Sequence, residues 1–193
     1  KDEPTTLQQV ELAPGVTLPL VYIPPGRFVM GSDQGYPNER PAHSVTIDEG
    51  FWIGRFEITN RQYACFDPSH DSGLETGEVY QFGDDERGHP LRRPEQPVVR
   101  VSWHQAMAFC KWLSNRTGRR FTLPTEAQWE KAARGMEDDP PRYPWGDDFD
   151  PQKANVKGKG TSAVGSYSQA GGDSPYGLAD MAGNVWEWTL DWY

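Results

Sequence analysis

The stretch of sequence with the clearest chemical potential is DMAGNVWE, from Asp180 to Glu187. The Gly183-Asn184 pair predicts a tight turn, and such a turn can direct main-chain carbonyl oxygens toward one point. With the carboxylates of Asp180 and Glu187 on either side, those oxygens would form an all-oxygen cage of the kind that calcium prefers. The spacing alone favours a simpler interpretation, in which Asp180 stabilises the turn and Glu187 pairs with a buried arginine.

The two cysteines, Cys65 and Cys110, are the second candidates for chemistry. They lie far apart in the sequence without the short spacings that mark a zinc site, and they allow one disulfide at most. Cys110 falls on the apolar side of a predicted helix, where a cysteine is more often part of the core than a nucleophile. We therefore expect both cysteines to be structural.

The last eleven residues, GNVWEWTLDWY, place Trp186, Trp188, Leu190 and Trp192 in strict alternation. This period of two predicts a β-strand with a tryptophan-rich face. An exposed row of tryptophans would be an adhesive edge, so we expect other polypeptide to cover it. The cover is either the rest of this chain or a separate segment or partner.

Three capping boxes of the form Ser/Thr-x-x-Gln position helices in the chain. They begin at Thr59, Ser102 and Thr125. A short helix, RQYACF, is expected after the first, and the second and third each lead into apolar positions at helical spacing. The second and third helices are expected to end at Gly118 and Gly135, because glycine commonly terminates helices.

Short apolar runs broken by turn residues predict strands in LVYIPPGRFVMGS and HSVTIDEGFWIGRFEITN. Residues 1–18 are polar without a clear period, and they are expected to form a lead-in that is loosely held or strand-like only at its end. The charged, Gly- and Pro-rich residues 67–97 predict a long surface loop, and residues 136–175 an irregular segment. Strands, helices and loops follow one another without a linker, which indicates a single domain.

Composition limits the classes of function open to the chain. At 193 residues it is long enough for one domain with a substantial core. Its 28 acidic and 19 basic residues give a net charge of −9, which disfavours a nucleic-acid partner and favours cations. No apolar run approaches the ~20 residues of a membrane span. The chain begins at Lys1 rather than Met, which is expected if a leader has been removed or the chain has been shortened. Removal of a leader would predict an extracytoplasmic location.

Seven stretches together resemble one family, the formylglycine-generating enzymes, whose domain is also called the sulfatase-modifying factor domain. They are YIPPGRFVMGS, FWIGRFEITNRQY, PVVRVSWHQAMAFCKWLS, FTLPTEAQWEKAARG, YPWGD, KANV and YGLADMAGNVWEWTLDWY. They occur in the family's order from about residue 20 to the end, so the resemblance is specific and covers nearly the whole chain. It implies an α+β fold of the C-type-lectin type over residues 19–193, with short strands, three short helices and many long loops.

The resemblance also implies structural calcium. At the positions that match the family motif, the side chains of Asp180 and Glu187 and the main-chain oxygens of Gly183 and Val185 would bind one ion. A second family site matches the side chain of Asn155 and the main-chain oxygen of Val156. The loop after Val156 is short, and the further acid that this second site needs is not identifiable.

An active member of the family oxidises a cysteine of a sulfatase to formylglycine with oxygen and copper(I), which two cysteine thiolates bind. That cysteine pair lies in a C-terminal segment after the tryptophan-rich stretch, and we expect this chain to lack the segment. Two functions are therefore compatible with the resemblance. The chain is the N-terminal core of such an oxidoreductase domain, with a complementary segment or protein partner covering the Trp186, Trp188 and Trp192 face, or it is a non-catalytic binding or assembly module.

Overall fold

The computed structural model of the chain describes residues 7–75, 89–136, 140–156 and 160–192. Within these ranges, three α-helices and seven short β-strands alternate with long irregular segments. The strands are β1 (Leu7–Ala13), β2 (Val16–Ile23), β3 (Gly26–Met30), β4 (His43–Ile47), β5 (Phe51–Gly54), β6 (Leu74–Glu75) and β7 (His89–Pro90). The helices are α1 (Asn60–Tyr63), α2 (Trp103–Thr117) and α3 (Glu126–Arg134).

The largest sheet has three antiparallel strands in the order β1-β2-β5. Strands β1 and β2 form a hairpin in which Val10 lies opposite Leu18, and β5 pairs with the other edge of β2. The expectation of a lead-in over residues 1–18 that is loosely held, or strand-like only at its end, is wrong for residues 7–18, because β1 already begins at Leu7. Val10 and Leu12 alternate with exposed residues along β1, and burying both apolar side chains stabilises the strand.

The remaining strands form two separate antiparallel pairs, β3-β4 and β6-β7. The second pair lies within residues 67–97, for which the sequence predicted only a loop, and each of its strands has two residues. Residues 76–88 of that predicted loop lie outside the described part of the chain. Residues 140–156 and 160–175 are irregular as predicted, except for one 3₁₀ turn at Ser168–Ala170.

All three predicted capping boxes are confirmed. The side chains of Thr59, Ser102 and Thr125 each accept a hydrogen bond from the N–H group three residues later, and the glutamine there bonds back to the cap. Helix α2 ends at Gly118 with φ +69°, a left-handed conformation that glycine adopts without strain. Within the described ranges, no helix is long and apolar enough to cross a membrane.

The hydrophobic core consists of two clusters on opposite faces of β2. Leu18 and Leu20 point into the first cluster, whereas Val21 and Ile23 point into the second. The first cluster also contains Val10, Leu12, Tyr63, Phe109 and Leu113. The second also contains Ala132, Ala133, Leu178 and Met181. Because both of its faces are buried, β2 is the central strand of the domain.

A fully buried lysine connects α3 to the turn between β2 and β3. Lys131 is 0% exposed, and its Nζ donates to the carbonyl oxygens of Pro24 at 2.7 Å and Gly26 at 3.0 Å. Burial lowers the pKa of this ammonium group. The two carbonyl groups replace part of the hydration that the charge loses, so Lys131 anchors the helix to the sheet.

The predicted C-terminal strand is wrong. Residues 185–192 are irregular and form no strand pairing with the described part of the chain. Isolated hydrogen bonds hold the segment instead: Leu190 N donates to Pro124 O at 2.8 Å, and Trp188 Nε1 donates to Val101 O at 2.8 Å. Alternation of side chains produces a strand only when a neighbouring backbone completes the hydrogen-bond ladder.

Candidate cation site and adjoining cavity

The Asp180–Glu187 segment folds back on itself through three residues with positive φ. Asp180 (+59°) and Asn184 (+61°) lie in the left-handed region that Asp and Asn tolerate best after glycine. Glycine is required at position 183 for two reasons. Its φ of +110° is a conformation that other residues rarely adopt, and a Cβ atom there would lie 2.7 Å from the carbonyl oxygen of Asn155. The turn therefore lies directly against Asn155.

Asp180 is buried, with 9% of its surface exposed. Its Oδ2 accepts a hydrogen bond of 2.6 Å from Gly165 N, so Asp180 holds a second segment of chain against the turn. Burial raises the pKa of this carboxyl group, and the negative charge of Asp173 adds to the rise. This hydrogen bond ties the turn to another segment and involves only one of the two carboxyl oxygens of Asp180.

Glu187 has no arginine partner among the described residues, so the buried ion pair of the simpler interpretation is absent there. The residue as a whole is exposed, and its carboxyl group is buried at the wall of an adjoining cavity. This burial raises its pKa to about 7, and the charge of Asp180 contributes to the rise. The indole N–H of Trp129 faces the carboxyl group without reaching hydrogen-bond geometry.

A third carboxyl group, Glu57, belongs to the same cluster, and sequence reasoning missed it. Glu57 is 7% exposed and lies just after β5. Its Oε2 accepts a hydrogen bond of 2.9 Å from Asn184 Nδ2. Burial raises the pKa of Glu57 to about 9, and the charges of Glu187 and Asp180 contribute further. The only sequence signal is an acid between two large apolar residues, Phe56 and Ile58.

Asn155 and Val156, predicted for a second calcium site, lie beside the residues predicted for the first site. Asn155 O accepts from Asn184 N at 2.9 Å, and Asn155 Nδ2 donates to Gly160 O at 2.8 Å. Asn184 Oδ1 also accepts from Ser162 N at 2.9 Å. The side chain of Val156 is 44% exposed. The structure thus brings residues 155–156 and 183–187 together, with Asn184 connecting them.

The chemistry of this cluster suits a hard cation. The charges of Glu187 and Asp180 raise the pKa of Glu57, and the charge of Asp180 raises the pKa of Glu187. No ion pair of the described residues neutralises any of the three. Oxygen is the ligand atom that calcium prefers, so the residues fit the ion. Within the same residues, no three side chains of His, Cys, Asp or Glu converge closely enough to hold a metal by themselves. Main-chain carbonyl oxygens would therefore have to complete the coordination.

A cavity of about 220 Å³ adjoins the cluster and lies between α2, α3 and the end of β5. Its wall is mainly apolar, with Glu57 and Glu187 on one side and Trp186 and Trp188 at the surface. Two neutral donors at the cavity, Tyr63 OH and Trp129 Nε1, are buried without a hydrogen-bond partner in the described chain. Buried polar groups normally have partners, so these two donors are available for further hydrogen bonds at the cavity.

The tryptophans of the C-terminal stretch are exposed beside this cavity. Trp186 is 96% exposed and Trp192 76% exposed. Trp192 contacts Trp103 at the start of α2, with ring centroids 5.0 Å apart. Exposed aromatic groups of this size on one surface mark interaction sites in proteins. The predicted exposure of these tryptophans is thus present on an irregular segment, with Trp188 52% exposed between them.

Neither cysteine has the surroundings of a reactive thiolate. Cys110 is buried on α2, and burial raises the pKa of its thiol to about 11. Cys65 follows α1, and its Sγ donates to Arg61 O at 3.6 Å. Both thiols are free. The prediction that Cys110 is a core residue is confirmed.

Short antiparallel strands, three capped helices and irregular loops around two core clusters define a mixed α+β domain of the formylglycine-generating-enzyme type. The family model for the sulfatase-modifying factor enzyme 1-like domain matches residues 9–193, and the chain belongs to this family. The structure of PvdO from Pseudomonas aeruginosa is similar, with a TM-score of 0.74 and 28% identity. The similarity covers 99% of this chain and 77% of PvdO.

Curated relatives carry different names. The chain is 32% identical to the formylglycine-generating enzyme of Thermomonospora curvata, over 90% of this chain and 71% of that enzyme. It is 34% identical to the serine/threonine-protein kinase pkn1 of Chlamydia caviae, over 90% of this chain. The chain spans only 28% of the length of that kinase. The same domain thus occurs in proteins of different named activity, and membership of the family leaves the activity open.

Proposed function

We propose that this chain is the scaffold of a formylglycine-generating-type oxidoreductase domain, which oxidises a cysteine in a target protein. The observation that supports this best is the match of the family over residues 9–193. In this proposal the scaffold positions a peptide-binding surface. The reacting thiolates belong to residues other than Cys65 and Cys110.

Copper(I) does not fit the two cysteines of this chain. Two thiolates must lie together to bind the ion, and soft thiolate sulfur is the ligand that it requires. The thiol of Cys110, with a pKa of about 11, is protonated at neutral pH, and the thiol of Cys65 is used in a contact within its own helical turn. We therefore assign no redox step to residues 1–193.

The chain binds an extended polypeptide across the face formed by Trp186, Trp188 and Trp192. This segment is either a further part of the same protein or a protein partner. Support comes from the exposure of these side chains and from the apolar cavity beside them. The main-chain groups of Trp186 and Trp188 have no hydrogen-bond partner within the described part of the chain, so they are free to pair with an added strand.

Calcium binds at the turn through the side chains of Asp180 and Glu187 and the main-chain oxygens of Gly183 and Val185. When bound, the ion supplies positive charge to a cluster of carboxyl groups that otherwise repel one another. The hydrogen bond from Asn184 N to Asn155 O fixes the turn and holds Asn155 against it. A structural calcium site fits an extracytoplasmic protein, because free calcium is abundant there.

Thermal melting with calcium and with a chelator tests the calcium site. A ligand that binds only the folded state stabilises it by about 2.7 kcal/mol at a hundredfold excess over its dissociation constant. We expect Glu187→Gln to remove most of this difference. Glu49→Gln, at an exposed acid remote in sequence from the turn, is the matched control and should retain it. Equal melting temperatures of the unmodified chain with calcium and with chelator would contradict the site.

Peptide mass spectrometry tests the proposal that residues 1–193 carry out no redox step. Residues 1–193 are incubated with copper, oxygen and a Cys-x-Pro-x-Arg peptide, and we expect no conversion of thiol to aldehyde. Formation of the aldehyde, abolished by Cys110→Ser, would place the active site at Cys110 and overturn the proposal.

A non-catalytic binding or assembly module is the second candidate. The match to a region of a protein named as a kinase favours it, because the domain there accompanies another activity. The gene sequence beyond Tyr193 discriminates the two. Two cysteines a few residues apart favour the oxidoreductase, and their absence favours the module.

A further inference from the structure

Glu57 is the least exposed of the three acidic residues around the turn, and it forms no salt bridge with any described residue. Its Oε1 is inaccessible to solvent and has no hydrogen-bond partner among the described residues. A buried carboxyl oxygen without a partner costs free energy, so its retention needs a physical reason. The other oxygen, Oε2, accepts from Asn184, one residue after Gly183 in the turn.

The position of Glu57 relative to the turn is fixed by backbone structure. Strand β5 ends at Gly54, and α1 is capped by Thr59, so Glu57 lies in a short connection held at both ends. The main chain of Val185, a predicted calcium ligand, also interacts with the Glu57 carboxyl group. One oxygen of Glu57 is thus held by the turn, while the other remains free.

We propose that Glu57 is a further ligand of the calcium ion at the turn and that its free Oε1 binds the ion directly. This inference rests on the calcium site proposed above. With Glu57 included, three carboxyl side chains and two main-chain carbonyl groups surround the ion, which approaches the six to eight oxygens that calcium takes. The ion would draw together carboxyl groups that interact electrostatically but do not converge without it.

A different role for Glu57 makes an opposite prediction. If Glu57 is only a neutral, structural carboxylic acid, glutamine is nearly isosteric with it and keeps the oxygen that faces Asn184. Glu57→Gln would then leave calcium affinity unchanged. If Glu57 is a ligand, the same substitution removes a charged oxygen from the coordination sphere, and affinity falls on the order of 10–100-fold or more.

Calcium titration by isothermal calorimetry, with the chain freed of metal beforehand, measures this effect. We expect tight binding by the unmodified chain and by Glu49→Gln, and at least tenfold weaker binding by Glu57→Gln. Melting of Glu57→Gln in chelator should be nearly unchanged, since glutamine is close in shape to the neutral acid and keeps the oxygen that accepts from Asn184. If Glu57→Gln does not fold, Glu57→Asp keeps the charge but shortens the side chain, and its affinity should also fall.

The possible outcomes separate the two proposals. Calcium binding by the unmodified chain with equal affinity in Glu57→Gln would overturn the role of Glu57 and leave the calcium site standing. No binding by the unmodified chain would overturn both. Terbium, a hard cation that binds oxygen ligands, provides a second readout. Its emission, sensitised by Trp129 beside Glu187, should require Glu57 in the same way.

Discussion

Asn184 connects the candidate cation site to the neighbouring loop, and its removal gives a prediction with a magnitude. Its Nδ2 donates to Glu57 Oε2 at 2.9 Å, and its Oδ1 accepts from Ser162 N at 2.9 Å. Substitution by glycine leaves both of these groups without the partner. A buried polar group left unpaired costs about 1–3 kcal/mol, and since Asn184 and Ser162 are only half-buried, we expect about 2–3 kcal/mol in total.

The backbone of Asn184 contributes separately. Its φ of +61° is left-handed, a conformation open to glycine but costing roughly 1–2 kcal/mol for alanine. Asn184→Ala should therefore be less stable than Asn184→Gly by about 1 kcal/mol. For a chain of this length, about 2–3 kcal/mol corresponds to a fall in Tm of roughly 4–12 °C.

Urea unfolding in the presence of chelator measures both effects, because calcium then contributes nothing. The free energy of unfolding is compared for the unmodified chain, Asn184→Gly and Asn184→Ala. Stability of Asn184→Gly within about 0.5 kcal/mol of the unmodified chain would refute the reasoning from hydrogen bonds. Equal stability of the two variants would refute the reasoning from φ.

Three further predictions concern the scaffold and the titration of the site. Lys131→Met removes both hydrogen bonds to the β2–β3 turn and should cost about 1–3 kcal/mol in urea unfolding, whereas Lys111→Met, at an exposed position of α2, should be near neutral. Ser102→Ala removes the cap of α2 and should cost about 1 kcal/mol in the same assay; no change would mean that the capping box contributes nothing. In chelator, the free energy of unfolding should rise as pH falls from about 9 toward 5. The pKa values of Glu57 (about 9) and Glu187 (about 7) exceed the ordinary 4.5, so the folded state binds more protons than the unfolded state in that window. The calcium-dependent increase in Tm should shrink over the same range, because protons compete with the ion, and an increment independent of pH would contradict the assignment.

The sequence alone determined the features that depend on neighbouring residues. Each capping box, at Thr59, Ser102 and Thr125, requires only a hydroxyl and a glutamine three positions later, and all three form. The stop at Gly118 is equally local, because glycine alone adopts φ > 0 there without strain. The family was also evident from ordered blocks of sequence, and the match over residues 9–193 confirms it.

Features that depend on distant partners were decided by the tertiary structure. The alternation of Trp186, Trp188 and Trp192 is a true pattern, but a strand also needs a backbone beside it, and no such strand lies there in the described chain. Strand β1 was not predicted, because its alternation of apolar and polar residues is weak. The strand forms because its backbone pairs with β2.

The candidate site shows the same division. The turn at Gly183-Asn184 and the acids Asp180 and Glu187 are close together in the sequence, so their proximity in space could be predicted from the sequence. Glu57 could not, because more than a hundred positions separate it from Asn184 and only folding brings the two side chains to 2.9 Å. Its burial, its free oxygen and its raised pKa follow from the packing of β5, α1 and the turn around it. A sequence records that a carboxyl group is present, whereas its desolvation and its neighbours are properties of the folded chain.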